Sequence, residues 1–372
     1  VQYVPLSVVQ EQIGEGRVLP FDIYDEDDLL LLARSTVVET RAQLDALIER
    51  GVRVRIEDLA DPSSVVDHVP STALPEVWQL VGQRIERQLE QGPRDRFDET
   101  LQQASAPMEA LIRRDPDLAI VQVILAGLED RSAYGVRHSM QVAVVAMMLA
   151  RRLGWTTADA TLAAKTALSM NVAILKLLSR LAVSRQPPNA AQRREIHEHP
   201  LQSSEMLRAA GVTDPVLLKA VEQHHERSDG TGFPRGIRDV SELANLVRCA
   251  DTFVTGLHET TGHGPLAADR LLRKIFLDED RSIYASALVK EMGVFPPGSV
   301  VELANGERGV VVRRGEKINT PLVAVYTDPF LRPLPTPVSR NTAQSEFAVI
   351  GTVHPEAHRL TNTRLEAIMR NV

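Results

Sequence analysis

Eleven residues constrain this chain more than any others: His224-His225-Glu226-Arg227-Ser228-Asp229-Gly230-Thr231-Gly232-Phe233-Pro234. Two adjacent imidazoles close an expected helix, and a carboxylate-bearing loop then turns through two glycines into a proline. Histidine forms helices only moderately well and is costly to bury without partners. The usual reason for such a pair is a metal ion or a phosphate. Two surface histidines beside an ordinary turn are the plain alternative, and the rest of the stretch argues against them. Each glycine permits positive φ, while Pro234 fixes the exit and biases Phe233 toward an extended conformation.

Composition then excludes several classes. A chain of 372 residues with 44% hydrophobic and 24% charged residues has room for two or three globular domains. A net charge of -7 without a dense Lys/Arg cluster argues against nucleic acid as the main partner. Cys249 is the single cysteine, which rules out an internal disulfide framework and suits the reducing cytoplasm. No apolar stretch is long enough to span a bilayer, and the N-terminus lacks a signal-peptide pattern. The expectation is a soluble, cytoplasmic protein.

Periodicity divides the chain into four parts. Residues 1–57 read as a small α/β domain: strands over Val18–Tyr24 and Leu29–Ala33, a helix opened by a Thr40/Gln43 capping box with Leu44, Leu47 and Ile48 on one face and Gly51 just past its end, and a strand through Val52, Val54 and Ile56. Asp25 to Asp28 lack the ligand spacing of a calcium loop and read as a solvated turn. Residues 58–118 read as a Pro/Ser-rich linker followed by two helices. One carries Val77, Trp78, Leu80, Val81, Ile85 and Leu89, the other Leu101, Met108, Leu111 and Ile112. The stripe is too irregular for a dimerising coil, so packing is expected, although a homodimer stays open.

Residues 119–295 read as a helical bundle. Ser132–Gly154 is apolar nearly all round and belongs at its centre; Ala163–Leu177 should form a second central helix after a Thr156 or Thr157 cap. Asn189 with Gln192, Thr213-Asp214-Pro215 and Ser241 mark further helix starts. Residues 296–372 read as a β appendage with strands over Val300–Leu303, Val310–Arg313 and Val323–Tyr326, an Asn305-Gly306 turn, a proline-rich loop from Pro329 to Pro337, and Arg313 and Arg314 on a solvated edge.

The His-His-Glu-x-x-Asp-Gly-x-Gly-Phe-Pro stretch resembles the signature of the HD-GYP family, a branch of the HD-domain metal-dependent phosphohydrolases that cleave cyclic di-GMP, with Phe233 where the family has Tyr. The resemblance implies a mainly α fold: an HD-type helical bundle with a small N-terminal α/β domain and a C-terminal β appendage. It also places metal-ligand positions at His138, His199, His224, His225 and Asp251.

The chain departs from that pattern where the family carries its His-Asp pair. Ser169 and Met170 stand there, and Ala173 stands where the family has a lysine. A carboxylate between two cations supplies anionic ligation to both; a thioether is soft and neutral. A second departure follows Asp251, where His258-Glu259-Thr260-Thr261-Gly262-His263 replaces an Asp-Arg-Pro-Tyr-Arg-like stretch that helps hold dinucleotide phosphates. These losses point to a degenerate member with no confident catalytic residue, no organic cofactor and at most one transition metal ion. It would act through a protein partner, a GGDEF-type cyclic dinucleotide synthase being one such partner, with Glu226, Asp229, Gly230, Gly232, Phe233 and Pro234 forming the interaction loop. An active phosphodiesterase with an altered metal site and a non-catalytic cyclic di-GMP receptor are the alternatives.

Overall fold

A computed structural model of the chain describes residues 3–59, 61–125, 132–184, 186–257, 266–278 and 281–353. Two compact units account for them: Val1–Ile85 with Ala106–Arg114, and Glu86–Ser105 with Asp115–Val372.

The first unit contains β1 (Tyr3–Pro5), β2 (Ile23–Tyr24), β3 (Leu30–Leu32), α1 (Arg41–Glu49) and β4 (Arg53–Arg55), with the antiparallel sheet ordered β1-β4-β2-β3. Thr40 and Gln43 form the expected reciprocal cap of α1, and Gly51 follows it at φ +68°. The strand expected over Val18–Tyr24 shrinks to Ile23–Tyr24, with Val18 making only an isolated bridge to Val37. Pro20 lies between them and has no N–H to give a ladder. Within the stretch read as a linker, Pro62–Val65 and Ser71–Ala73 form short 3-10 turns, and Val65, Val66 and Val69 are buried. Trp78 is buried, as a core residue should be. Two helices, α2 (Leu74–Glu90) and α3 (Phe97–Arg114), run through the chain positions where the two units divide.

The second unit adds α4 (Pro116–Leu125), α5 (Tyr134–Arg152), α6 (Thr157–Ser169), α7 (Leu175–Ser184), α8 (Ala190–Ala209), α9 (Pro215–Gln223), α10 (Glu242–Leu257), α11 (Ala268–Asp278) and α12 (Ile283–Met292). Helix α5 is the axis of the bundle. It packs against α4, α6, α7, α10 and α12, and Val142 through Ala150 are buried without a break, so a helix apolar on every face has found neighbours on every face. Capping boxes at Thr156/Asp159 and Asn189/Gln192 open α6 and α8, and Asp214 caps α9 by accepting from the N–H groups of Val216 and Leu217. The single helix expected over Ala163–Leu177 is broken. α6 stops at Ser169, tight bonds from Val172 N to Ser169 O and from Ile174 N to Asn171 O turn the chain, and α7 restarts at Leu175. Asn171 and Val172 both form helices weakly, so the break costs little.

The same unit ends in an antiparallel sheet of β5 (Val300–Leu303), β6 (Arg308–Arg313), β7 (Leu322–Thr327), β8 (Pro333–Asn341) and β9 (Val349–Thr352), ordered β8-β7-β6-β5-β9. Alternation gives it two apolar faces. Val300, Val310 and Ala324 pack on Val121 and Leu125 of α4, while Val301, Val311, Val323 and Val325 cluster on the opposite side with Phe295 and Phe347. The loop expected from Pro329 to Pro337 is in part a strand. Pro333, Pro335 and Pro337 fall at alternate positions of β8, an edge strand of the sheet, where residues without an N–H are tolerated. Arg314 is also not on a solvated edge. It is only a quarter exposed and donates to Glu291 Oε1 at 3.0 Å and to Asp117, so it ties the sheet to α12 and α4.

Candidate metal centre

Four helices deliver the five residues named above. His138 lies on α5, His199 on α8 and Asp251 on α10, while His224 and His225 leave the C-terminus of α9. They converge, but into two sets. His199, His224 and His225 each present a ring nitrogen within 4.8 Å of the others. His138 pairs with Asp251 instead, donating from Nε2 to Oδ1 at 2.8 Å. Asp251 Oδ2 stands 4.0 Å from His225 Nδ1, which joins the two sets edge to edge.

Hydrogen bonding fixes how the imidazoles present themselves. His199 Nδ1 lies 2.6 Å from the carbonyl oxygen of Ile196, and His224 Nδ1 lies 2.7 Å from that of Val221. A carbonyl only accepts, so each Nδ1 carries its proton and each Nε2 is left with a lone pair. Those two Nε2 atoms are 3.1 Å apart. Burial lowers all three imidazoles from the ordinary histidine value, with the neighbouring rings adding to the effect on His199 and His225; His199 falls to about 3. Neutral rings with lone pairs facing one another at this distance repel.

A cation removes the repulsion. Nitrogens bound at about 2.0–2.1 Å to a tetrahedral ion stand about 3.3 Å apart, close to the spacing found, so the residues present fit a borderline transition metal held by imidazole nitrogen. Asp251 is held below the ordinary carboxylate range: burial alone would raise it, and the hydrogen bond from His138, with the surrounding imidazoles adding to it, overcomes that. His138 Nδ1 is buried with no hydrogen-bond partner among the described residues, an orphaned polar atom on the far side of the same ring.

Ser169 and Met170, where the resemblance expects a His-Asp pair, bring no ligand atom to the triad or the pair. Ser169 is fully buried and its hydroxyl donates back to Lys165 O at 2.8 Å within its own helix. Met170 is 0% exposed and offers no charge. Ala173 is half-buried, its backbone N–H donating to Ser203 Oγ. Residues 258–263, the second place where phosphate-binding charge was expected to be missing, lie outside the described residues.

The loop after the histidines is braced from within. Glu226 is 1% exposed, and its two carboxylate oxygens accept the backbone N–H groups of Arg235 at 2.7 Å and Ile237 at 3.1 Å. Asp229 accepts from the N–H and the hydroxyl of Thr231, which lowers its carboxyl to about 2. Gly230 does need positive φ, at +81°, but Gly232 is required for space: a Cβ there would meet Arg227 N at 2.4 Å and His225 O at 2.5 Å. Phe233, joined to Pro234 by a cis peptide, is not a free apolar anchor. Its half-buried ring stacks on His225 with centroids 4.4 Å apart and on the exposed His197 at 5.4 Å. Sequence reasoning missed this stack, and the identity of residue 233 was its only trace. It also missed Lys165, buried on α6 and paired with Asp98 at 2.6 Å, and Tyr134, whose ring stacks on His138 one turn along α5.

A bundle in which histidines and a carboxylate from separate helices converge around an apolar central helix is the architecture of a metal-binding helical domain. Residues 122–269 match the HD domain family, and this segment is an HD domain. Over 137 residues the chain is 28% identical to a cyclic di-GMP phosphodiesterase of Pseudomonas aeruginosa, covering 35% of this chain and 33% of the relative. Over 128 residues it is 27% identical to 3'3'-cGAMP-specific phosphodiesterase 3 of Vibrio cholerae, covering 34% of this chain and 28% of the relative. The chain thus spans about a third of the length of the curated relatives it matches. Among solved structures, an HDG"Y"P protein of Bdellovibrio bacteriovorus superposes with a TM-score of 0.49 at 17% identity, over 78% of this chain and 98% of its own. No described helix is long and apolar enough to cross a membrane.

Proposed function

We propose that this chain is a signalling HD domain of the HD-GYP type that has lost cyclic dinucleotide hydrolysis and works by contact with a protein partner. The observation that carries the reading is Met170, fully buried where the resemblance expects an anionic ligand shared by two metals, beside a Ser169 whose hydroxyl is bonded into its own helix. The hydrolytic activities named for the two relatives make cyclic dinucleotide signalling the context. Contact would fall on the rigid loop, through its exposed polar groups Asp229, Thr231 and Arg235 rather than through Phe233. The partner class that the resemblance suggests is a GGDEF-type synthase. Metal analysis of protein purified without chelator, with a cyclic di-GMP turnover assay on the same sample, tests the reading. At most one equivalent of metal and no turnover are expected; two equivalents with steady turnover abolished by His224→Ala would overturn it.

A second reading, a phosphodiesterase working with a single metal, is favoured by the facing Nε2 atoms of His199 and His224. His199, His224 and His225 would hold the ion, which when bound acts as a Lewis acid and lowers the pKa of its water. The His138–Asp251 pair would then orient His225 and accept a proton at the buried Nδ1 of His138. One metal with turnover in the same assay would favour this reading over the first.

A further inference from the structure

A cleft of about 970 Å³ opens beside α7, and neither the three imidazoles nor His138 nor Asp251 lines it. Its volume is at the upper end of the range for small-molecule sites, about 300–1,000 Å³. The walls are aliphatic, with Leu89, Val136, Val172, Leu175, Val183 and Met206 contributing side chains from α2, α5, the turn before α7, α7 itself and α8. Ala173 also opens into it, so the position where the resemblance expects a phosphate-holding lysine presents a methyl group. Two cations compensate from the next helix. Lys176 and Arg180, one turn apart on α7, both line the cleft, and neither has a hydrogen-bond or ion-pair partner among the described residues. Glu90 is the one carboxylate among the described lining residues, which leaves a net positive charge.

The lining excludes some ligands. No described lining side chain is aromatic, so there is no platform for a stacked nucleobase of the kind that nucleotide sites use. Aliphatic walls with paired cations at the mouth suit the opposite chemistry: a flexible hydrocarbon body with a compact anionic head. Val183 at 61% exposure and Met206 at 40% extend the apolar surface out to the rim, and Met adapts to an irregular chain. Gly135, with no side chain, lets α5 approach Leu175 of the cleft lining so closely that a Cβ would lie 2.3 Å from Leu175 O.

We propose that this cleft binds an aliphatic organic monoanion, its chain along the walls and its head between Lys176 and Arg180. The proposal is independent of whether the imidazole cluster holds a metal. Isothermal titration of the full chain with hexanoate, octanoate and decanoate below their micellar concentrations tests it. Burying methylenes should tighten binding about fourfold for each CH2 added. Decanol and decyltrimethylammonium supply the same chain without the anion and should bind at least tenfold more weakly than decanoate. The double variant Lys176→Glu/Arg180→Glu, at two exposed positions, should keep the native Tm and lose at least tenfold in decanoate affinity. Equal affinity for decanol, a chain-length series with no trend, indifference to the charge reversal, or competition by cyclic di-GMP at lower concentration than decanoate would each overturn it.

Discussion

Lowering the pH should unfold the metal-free protein through His199. Its ring is buried and lowered to about 3, whereas an unfolded histidine titrates near 6.5. The unfolded chain therefore binds the extra proton across the window between those values. Stability from this group is complete above about pH 6.5 and is lost progressively as the pH falls toward 3. From pH 7 to pH 5 the linkage relation gives a loss of about 2 kcal/mol for this one ring. Burial lowers His224 and His225 as well, so the whole cluster pulls in the same direction. Urea denaturation of chelator-treated protein at intervals between pH 7 and pH 5 measures the loss, and His199→Gln should remove about 2 kcal/mol of it. Added zinc should flatten the dependence at pH 7 to 6, since a ligand that binds only the folded state stabilises it. A stability that is flat or rises toward pH 5 would refute the reasoning. It would mean that a proton already sits between the two Nε2 atoms at 3.1 Å and that the pair is an imidazole–imidazolium hydrogen bond rather than two opposed lone pairs.

Three further outcomes follow from the loop. Glu226→Ala leaves the N–H groups of Arg235 and Ile237 without their acceptor and should cost about 2–5 kcal/mol by thermal or urea denaturation. Gly232→Ala should destabilise although its φ is ordinary, because the added Cβ meets backbone atoms of Arg227 and His225; an unchanged Tm would show that the loop yields freely. Phe233→Ala removes the ring stacked on His225 and should lower stability by about 1–3 kcal/mol, where a solvated anchor would leave it unchanged.

Much of the helical unit was legible because its signals are local. Apolar residues on every face of Ser132–Gly154 could only mean a buried helix, and the caps at Thr156, Asn189 and Asp214 are written in a few neighbouring residues. The convergence of His138, His199, His224, His225 and Asp251 was legible through the motif alone. Their division into a triad and a pair was not, since it depends on whether each Nδ1 finds a carbonyl, and Ile196 O and Val221 O are supplied by helix geometry rather than by residue type. Gly232 was read as a conformational need and proved to be a spatial one, because the atoms it makes room for belong to residues brought back by the turn. Pro333, Pro335 and Pro337 looked like a loop because prolines argue against a strand, and only the sheet order shows that they lie in an edge strand, where they are tolerated. Arg314 needed Asp117, nearly two hundred positions away in the chain, before it could be anything but a surface charge.

Restoring the family's pair by Ser169→His and Met170→Asp asks whether the surviving residues still surround a second metal position. Met170 is fully buried, at the C-terminal cap of α6 in helical conformation. A carboxylate there would be desolvated and would also face the negative end of the helix dipole. The metal-free variant should therefore be less stable than its parent by about 3 kcal/mol or more, the cost of an uncompensated buried charge after relaxation. A bound cation neutralises that charge, so zinc or manganese should return most of the loss and raise the metal content by one equivalent, the signature of binding free energy acting as folding free energy. Turnover is a separate matter. Ala173 would still lack a cation, and stabilising the transition state of phosphodiester cleavage needs preorganised positive charge as well as a metal-bound nucleophile. Metal uptake with trace hydrolysis of cyclic di-GMP at most is the expected result. Brisk turnover would show that the lysine position is dispensable in this bundle. Failure to gain metal, in a variant that circular dichroism shows to be folded, would show that the helices no longer hold His138, Asp251 and residues 169 and 170 around one point.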